Sequence, residues 1–263
     1  MVEVIKNKVE REIIKLVADG VFLKHIFKIQ NTVADETVLV FNKDNIEMLN
    51  VDPTYVCMVR QVIPIRNIEE YKKVNIDQNI PIKIGVSIDK MVHITKTINK
   101  NDTLKLEYDS NIDTTMLNIK MGFFDQKIGL YDKAGIPIPK IPNLNLPARF
   151  TIGTKIFYDF LVQANRVSNY ISIKTDKEKL TLTAEGDTDK VNVEISKNML
   201  LEFESYNNYQ SLFSIDYLKN IFNVIKTMFT HVTIKIGNDV PLMLIASDKS
   251  ELMVLLASRI EGD

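Results

Sequence analysis

Three histidines, one cysteine and many carboxylates are the side chains of this sequence that could do chemistry. Their spacing offers none of the familiar arrangements. His25, His93 and His231 stand far apart and form no H-E-x-x-H pair of the kind that grips zinc from one helix face. The nine glycines make no G-x-x-x-x-G-K-[ST] phosphate cradle, no G-x-G-x-x-G dinucleotide turn and no G-x-S-x-G nucleophile elbow. Cys57 sits in the apolar run YVCMV, without the cationic neighbours that stabilise a thiolate, and reads as a buried structural thiol. Asp and Glu are plentiful. A hydrolase built on a carboxylate pair therefore stays open as an alternative, though nothing in the spacing favours it. The expectation is no catalytic residue, no metal and no cofactor.

Composition narrows the class. The 263 residues allow one large domain or two ordinary ones, and 45% hydrophobic with 25% charged residues is the balance of a globular chain. No apolar run approaches the roughly 20 residues of a membrane helix, so no membrane partner is expected. The start, MVEVIKNKVEREIIK, is too charged for a signal peptide. One cysteine excludes an intramolecular disulfide and points to a reducing intracellular compartment. With a net charge of −1, any nucleic-acid binding requires the 33 basic residues to be sorted in space.

Periodicity supplies the elements that would do the sorting. Residues 8–18, KVEREIIKLVA, read as a helix with Val9, Ile13, Leu16 and Val17 on one face. Strands are expected at 21–29, 37–41, 45–51 and 55–63, a second helix opens at SIDKM (87–91), and strands follow at 103–108 and 114–121. The second half repeats this plan. A helix starts at 154–161 with Phe157, Phe160, Leu161 and Ala164 inward; strands follow at 169–174, 179–184 and 190–195. A fourth helix opens at SIDYL (214–218), and strands close the chain at 232–236 and 241–246. The two S-I-D segments lie about half a chain apart, as a tandem duplication would place them. Between the halves, 125–147 carries four of the eight prolines and reads as an extended linker. The expected domains are 1–124 and 148–263.

Opposite the apolar faces run basic stripes. They are Lys8, Arg11 and Lys15 on the first helix; His93, Lys96 and Lys100 on the second; and Lys219, Asn223 and Lys226 on the fourth. The third is basic only at its ends, Lys155 and Arg166, with Asp159 and Val162 between. Each stripe alone is an ordinary solvated face. Three together describe a surface that could meet phosphates without reading bases.

Five motifs then carry a family resemblance across nearly the whole chain. DNIEMLNVDPTYV (44–56) resembles the "D-G-I-x-L-x-A-M-D-P-S-H-V" of sliding clamps of the proliferating-cell-nuclear-antigen type, and LTLTAEGD (180–187) their "L-x-F-x-A-E-G-D". Asp216-Tyr217-Leu218, Val240-Pro241-Leu242 and the terminal LASRIE follow in the same order.

The resemblance implies two similar α+β clamp domains joined by an interdomain connector loop. Three chains would form a ring around duplex DNA, as a homotrimer or with paralogous subunits. It implies a DNA-facing role for Lys8, Arg11, Lys15, His93, Lys96, Lys100, Lys155, Arg166, Lys219 and Lys226, and edge strands at 114–121 and 188–196 for ring closure. It also implies a docking pocket under the connector for a short motif of DNA polymerase, flap endonuclease and DNA ligase, with a clamp loader as a further partner. That pocket would be lined by Val51, Tyr55, Val56, Met58, Ile141, Pro142, Val240, Pro241 and Leu255, with Ala257 and Ser258 at its rim. Leu255 and Ser258 depart from the aromatic residue and the proline that many relatives carry there. A specialised subunit of a mixed, checkpoint or viral clamp is the alternative within this reading. Such a protein would work in the nucleus of a eukaryote or the cytoplasm of an archaeon.

Overall fold

The computed structural model describes residues 11–259. The first half runs β1 (Ile13–Asp19), α1 (Gly20–Gln30), β2 (Glu36–Phe41), β3 (Asn45–Val51), β4 (Cys57–Pro64), β5 (Glu70–Val74), β6 (Ile82–Ser87), α2 (Ile88–Thr95), β7 (Thr103–Asp109), β8 (Met116–Met121) and β9 (Phe124–Gly129). The second half runs β10 (Ala148–Gly153), α3 (Thr154–Ala164), β11 (Tyr170–Thr175), β12 (Lys179–Glu185), β13 (Lys190–Ser196), β14 (Glu202–Glu204), β15 (Tyr209–Ser214), α4 (Ile215–Ile225), β16 (His231–Ile236), β17 (Leu242–Ser247) and β18 (Glu251–Leu256). The order of elements is the same in both halves. The chain is an internal repeat.

The first helix is not where periodicity put it. Residues 8–10 lie outside the described residues, and 13–18 belong to β1, in which Ile14, Leu16 and Ala18 are buried and Lys15 and Asp19 exposed, a period of two. A dense aliphatic run satisfies helical and strand periods alike, and here pairing with β5 and β7 decides. Asp19 ends the strand and caps the next element, its Oδ1 accepting from the Phe22 N–H at 2.9 Å. The expected strand at 21–29 is therefore α1, burying Phe22, Leu23, Ile26, Phe27 and Ile29 at helical spacing. Ser87 caps α2 by accepting from the Lys90 N–H at 3.2 Å.

Among the described residues three sheets result. One is β5-β1-β7-β8-β9, another is β13-β12-β11-β15, and the largest is β14-β10-β16-β17-β18-β4-β3-β2-β6. The last is a fusion: its first five strands repeat the first sheet and its last four repeat the second. The joint is the antiparallel pair β18–β4, in register from Glu251↔Val62 to Leu256↔Cys57. The core is continuous across it. Ile29, Val33, Cys57 and Val59 of the first half are buried among the second half's Phe150, Phe157 and Leu218. Across α3 and α4 the rings of Phe157 and Phe222 lie 4.6 Å apart.

β9 takes the first residues expected of the linker, 125–129, and it, not the segment 114–121, is the outermost strand of its sheet. β13 is outermost in its own, as expected. After β9 the chain binds the flank of β6, Tyr131 N–H donating to Gly85 O at 2.9 Å. A Cβ at Gly85 would lie 2.7 Å from the Tyr131 carbonyl, so this close approach requires glycine. From β6 to β10 is seven strand spacings, roughly 34 Å, a distance the residues between Tyr131 and Ala148 can cover without being fully extended; apart from a 3-10 turn at Lys133–Gly135 they form no helix or strand.

Candidate DNA-facing and partner-docking surfaces

Among the described residues four helices form one layer. α1 packs on α2, α3 on α4, and α1 on α4, each burying its apolar stripe against the sheets. The polar faces left outward bring together most of the expected cations. His93 and Lys96 are exposed at the end of α2, Lys100 is exposed in the turn after it, and Arg166 is exposed just past α3. Lys155 pairs with Asp159 one turn on, at 2.9 Å. Lys219 donates to Asn165 across the α3–α4 seam. Lys226 lies 3.3 Å from the centroid of the Tyr158 ring and donates to Asn223 Oδ1 at 2.9 Å.

The first stripe fails. Lys8 lies outside the described residues. Arg11 precedes β1 and is hydrogen-bonded twice to Asp109, at 2.8 and 3.4 Å. Lys15 projects from β1 on the side opposite Leu16, 3.7 Å from Glu107. A strand turns successive side chains to opposite faces, so Lys15 cannot join the helical layer. Burial pushes the Glu107 carboxyl up, but Lys105, Lys120 and Lys15 outweigh it and hold the group below the usual carboxylate range.

In their place α1 presents Lys24, His25 and Lys28, and α2 adds Lys90. The Lys24 ammonium donates to the Lys96 carbonyl at 2.9 Å, satisfying the C-terminal turn of α2. Burial, reinforced by Lys28 and Lys24, pushes His25 below the ordinary imidazole value and keeps it neutral near pH 7. The signal for these residues was in VFLKHIFKI, where apolar positions fall at helical spacing directly after Asp19-Gly20.

On the opposite face of the great sheet, strand register aligns Val51 of β3, Met58 of β4, Leu255 of β18 and Met243 of β17 in one row. The next row brings Leu49, Arg60, Met253 and Ile245 together. Leu255 is buried, and the other apolar members of both rows are half-buried. Met243 and its neighbours escaped sequence reading, although the alternation of β17 and β18 marks them. Val56 and Ala257 meet through the Ala257 N–H, which donates to Val56 O at 2.8 Å. Val240 and Pro241, half-buried, lead into β17, and Ser258 follows Ala257. Ile141 and Pro142 lie exposed on the connector. Tyr55 is exposed at the tip of the β3–β4 turn with φ 59°, a left-handed backbone.

Asp52 holds that turn. Its Oδ1 accepts from the N–H groups of Val56 (2.8 Å) and Cys57 (2.5 Å), and its Oδ2 accepts from the Tyr217 hydroxyl of α4 at 3.0 Å and from the Thr54 hydroxyl. The motif residues Asp52 and Tyr217 thus tie the two halves together beside the patch. Burial alone would raise the Asp52 carboxyl; the bonds from Thr54, Cys57 and Tyr217 overcome it and leave it below its ordinary value. Cys57 beneath is pushed up to about 12, by burial first and by Asp52 second. It is an inert thiol. Among the described residues no three His, Cys, Asp or Glu side chains converge as metal ligands, and no helix is long and apolar enough to cross a membrane.

Comparison with known proteins agrees with this fold. Residues 13–131 match the family described as "Proliferating cell nuclear antigen, N-terminal domain". The chain is 29% identical over 254 residues to the DNA polymerase sliding clamp of Archaeoglobus fulgidus, covering 95% of this chain and 100% of that one. It is 33% identical over 189 residues to that of Methanocorpusculum labreanum, covering 70% and 75%. The fold superposes with a TM-score of 0.87, at 29% identity and over 95% of this chain and 100% of the other, on the structure described as "C-terminal region of FEN-1 bound to A. fulgidus PCNA". The chain therefore belongs to the DNA polymerase sliding clamp family, the clamps of the proliferating-cell-nuclear-antigen type.

Proposed function

We propose that three copies of this sliding clamp close head to tail around duplex DNA, with α1 to α4 lining the hole. The repeat carries this reading. Within the chain β18 joins β4; the equivalent strands β9 and β13 are each left outermost in their own sheets. The same joint made between chains uses both and leaves neither exposed. Transferring the β18–β4 register sets Phe124 opposite Val193 of the partner subunit, and Gln126 opposite Val191 of the partner subunit.

A clamp is not an enzyme. It keeps a polymerase at high effective concentration beside the template because the ring cannot leave DNA sideways. In this reading Lys24, Lys28, Lys90, His93, Lys96, Lys100, Lys155, Arg166, Lys219 and Lys226 attract phosphates loosely enough to slide. The row of Val51, Met58, Leu255 and Met243 takes the apolar anchors of polymerase, flap endonuclease and ligase. Tyr55, Val56, Val240, Pro241, Ala257 and Ser258 border it, and Ile141 and Pro142 lie over it. The relative's structure, bound to the C-terminal region of FEN-1, supports docking of such partners. The domains end at Gly129 and begin at Ala148, with 130–147 as connector. The protein works where the chromosome is, in archaeal cytoplasm or a eukaryotic nucleus.

Light scattering on the purified chain tests closure. Three times the 30.1 kDa chain mass is expected. A chain that stays single, and assembles only when a second clamp chain is added, would make it a subunit of a mixed ring.

A further inference from the structure

The joint inside the chain is tied at one end by a polar contact. After β4 the chain makes a short 3-10 turn, Ile65–Asn67, and the Asn67 side chain donates to the Lys249 carbonyl in the β17–β18 turn at 2.7 Å. The repeat identifies both counterparts. After β13 a 3-10 turn of the same length, Lys197–Met199, is entered by the same bond: Lys197 N–H donates to Glu178 O at 2.8 Å, as Ile65 N–H donates to Asp44 O at 3.0 Å. Met199 therefore stands where Asn67 stands, and the β8–β9 turn, Gly122-Phe123, stands where the β17–β18 turn does. Here the chemistry is inverted. Phe123 is fully exposed and Met199 is 79% exposed, at positions whose counterparts are tied by a hydrogen bond.

We propose that Phe123 of one chain packs on Met199 of the partner subunit, and that this contact makes a second copy of this chain the closing partner. The contact rests on the ring reading and names the chain that closes it. Both members of the polar tie are exchanged for apolar ones, whereas an exchange at one end alone would leave a mismatch. A head-to-tail joint needs complementary groups at the two ends of the subunit, and this chain carries both. The transferred register brings Phe123 level with Glu194 of the partner subunit. Glu194 precedes Met199 by as many residues as Val62, the partner of Glu251, precedes Asn67. The β8–β9 turn is shorter than its counterpart, since Met121 pairs with Phe124 whereas Ala246 pairs with Leu252. A turn that tight takes glycine at its first position, Gly122 at φ 54°, and the Phe123 ring supplies the missing reach. A thioether beside an aromatic ring is a favourable contact. Each side chain also covers apolar surface that the single chain leaves in water.

Dilution of the assembled full chain, followed by light scattering, tests the contact. Phe123→Asp and Met199→Asp should each bring dissociation at a roughly tenfold higher concentration than wild type. Ile76→Asp, at an exposed apolar position between β5 and β6, should leave it where it is. A chain carrying both Phe123→Cys and Met199→Cys, treated with a short bismaleimide, should give covalent multimers on a denaturing gel. The two single variants assembled together should give covalent pairs, and neither alone should cross-link, because Cys57 is buried. A three-chain mass with unchanged dissociation in both Asp variants and no cross-link would overturn the contact and leave the ring standing. A wild type that stays single at every concentration would remove ring and contact together. Assembly that occurs only on adding a different clamp chain would overturn self-pairing.

Discussion

Asp52 shows how one side chain links a motif to a surface. It closes the β3–β4 turn, receives Tyr217 from the other half, and sits between Cys57 and the exposed Tyr55. Asp52→Asn removes a charged acceptor with several donors aimed at it. About 2 kcal/mol of stability should be lost near neutral pH, since hydrogen bonds to charged groups contribute about 1.5–3 each and Asn can keep some of them. The pH dependence follows from the direction of the shift. The folded carboxyl titrates below its unfolded value of about 3.9, so its contribution is complete above that pH and fades as pH falls through the folded value. Urea melts of wild type and variant should differ at pH 7 and converge in strong acid. A constant gap down to the lowest measurable pH would remove Asp52 as the cause.

At the scale of elements, the position of the first helix decides which lysines meet DNA. Lys24→Glu with Lys28→Glu, on α1, should lower retention of the assembled protein on circular duplex several-fold and flatten its salt dependence. Lys15→Glu, on the outward face of β1, should change neither. Equal losses from both would mean the helical layer does not face the duplex. The row across β3, β4, β18 and β17 makes a separate claim. Met58→Asp should weaken binding of an apolar-anchored clamp-motif peptide by roughly 30-fold, about the 2 kcal/mol of a buried anchor. Met243→Asp, a position that only register identifies, should act alike. Calorimetry with the chain's assembled mass unchanged is the readout, and full affinity in Met243→Asp would confine the patch to the motif-derived residues.

For the whole molecule, duplication explains both what is joined and what is left open. The pair β18–β4 is satisfied inside the chain, whereas β9 exposes Phe124 beside a fully exposed Phe123. Large apolar groups on an outermost strand mark a surface meant for a partner. Phe124→Asp should shift the mass toward the single chain without lowering the secondary-structure content. Normal assembly in that variant would place the joint elsewhere.

Much of this was legible in the residues. α2, α3 and α4 could be read from apolar spacing and Ser-Ile-Asp starts, and so could the alternating strands β3, β7 and β12. Local periodicity and capping fix such elements before any tertiary contact forms. The five motifs, in order, implied the family and hence the function. What the sequence could not settle was where two periods fit equally well. Residues 13–17 are aliphatic enough for either face pattern, and only pairing with β5 and β7 made them a strand and moved the first basic stripe to Lys24 and Lys28. Strand order was likewise invisible. β9 became the edge, and Met243 came to lie beside Leu255, through hydrogen bonds between segments distant in the chain. A residue's neighbours along the backbone carry its helical or extended preference. Its neighbours across a sheet are chosen by the packing of the whole.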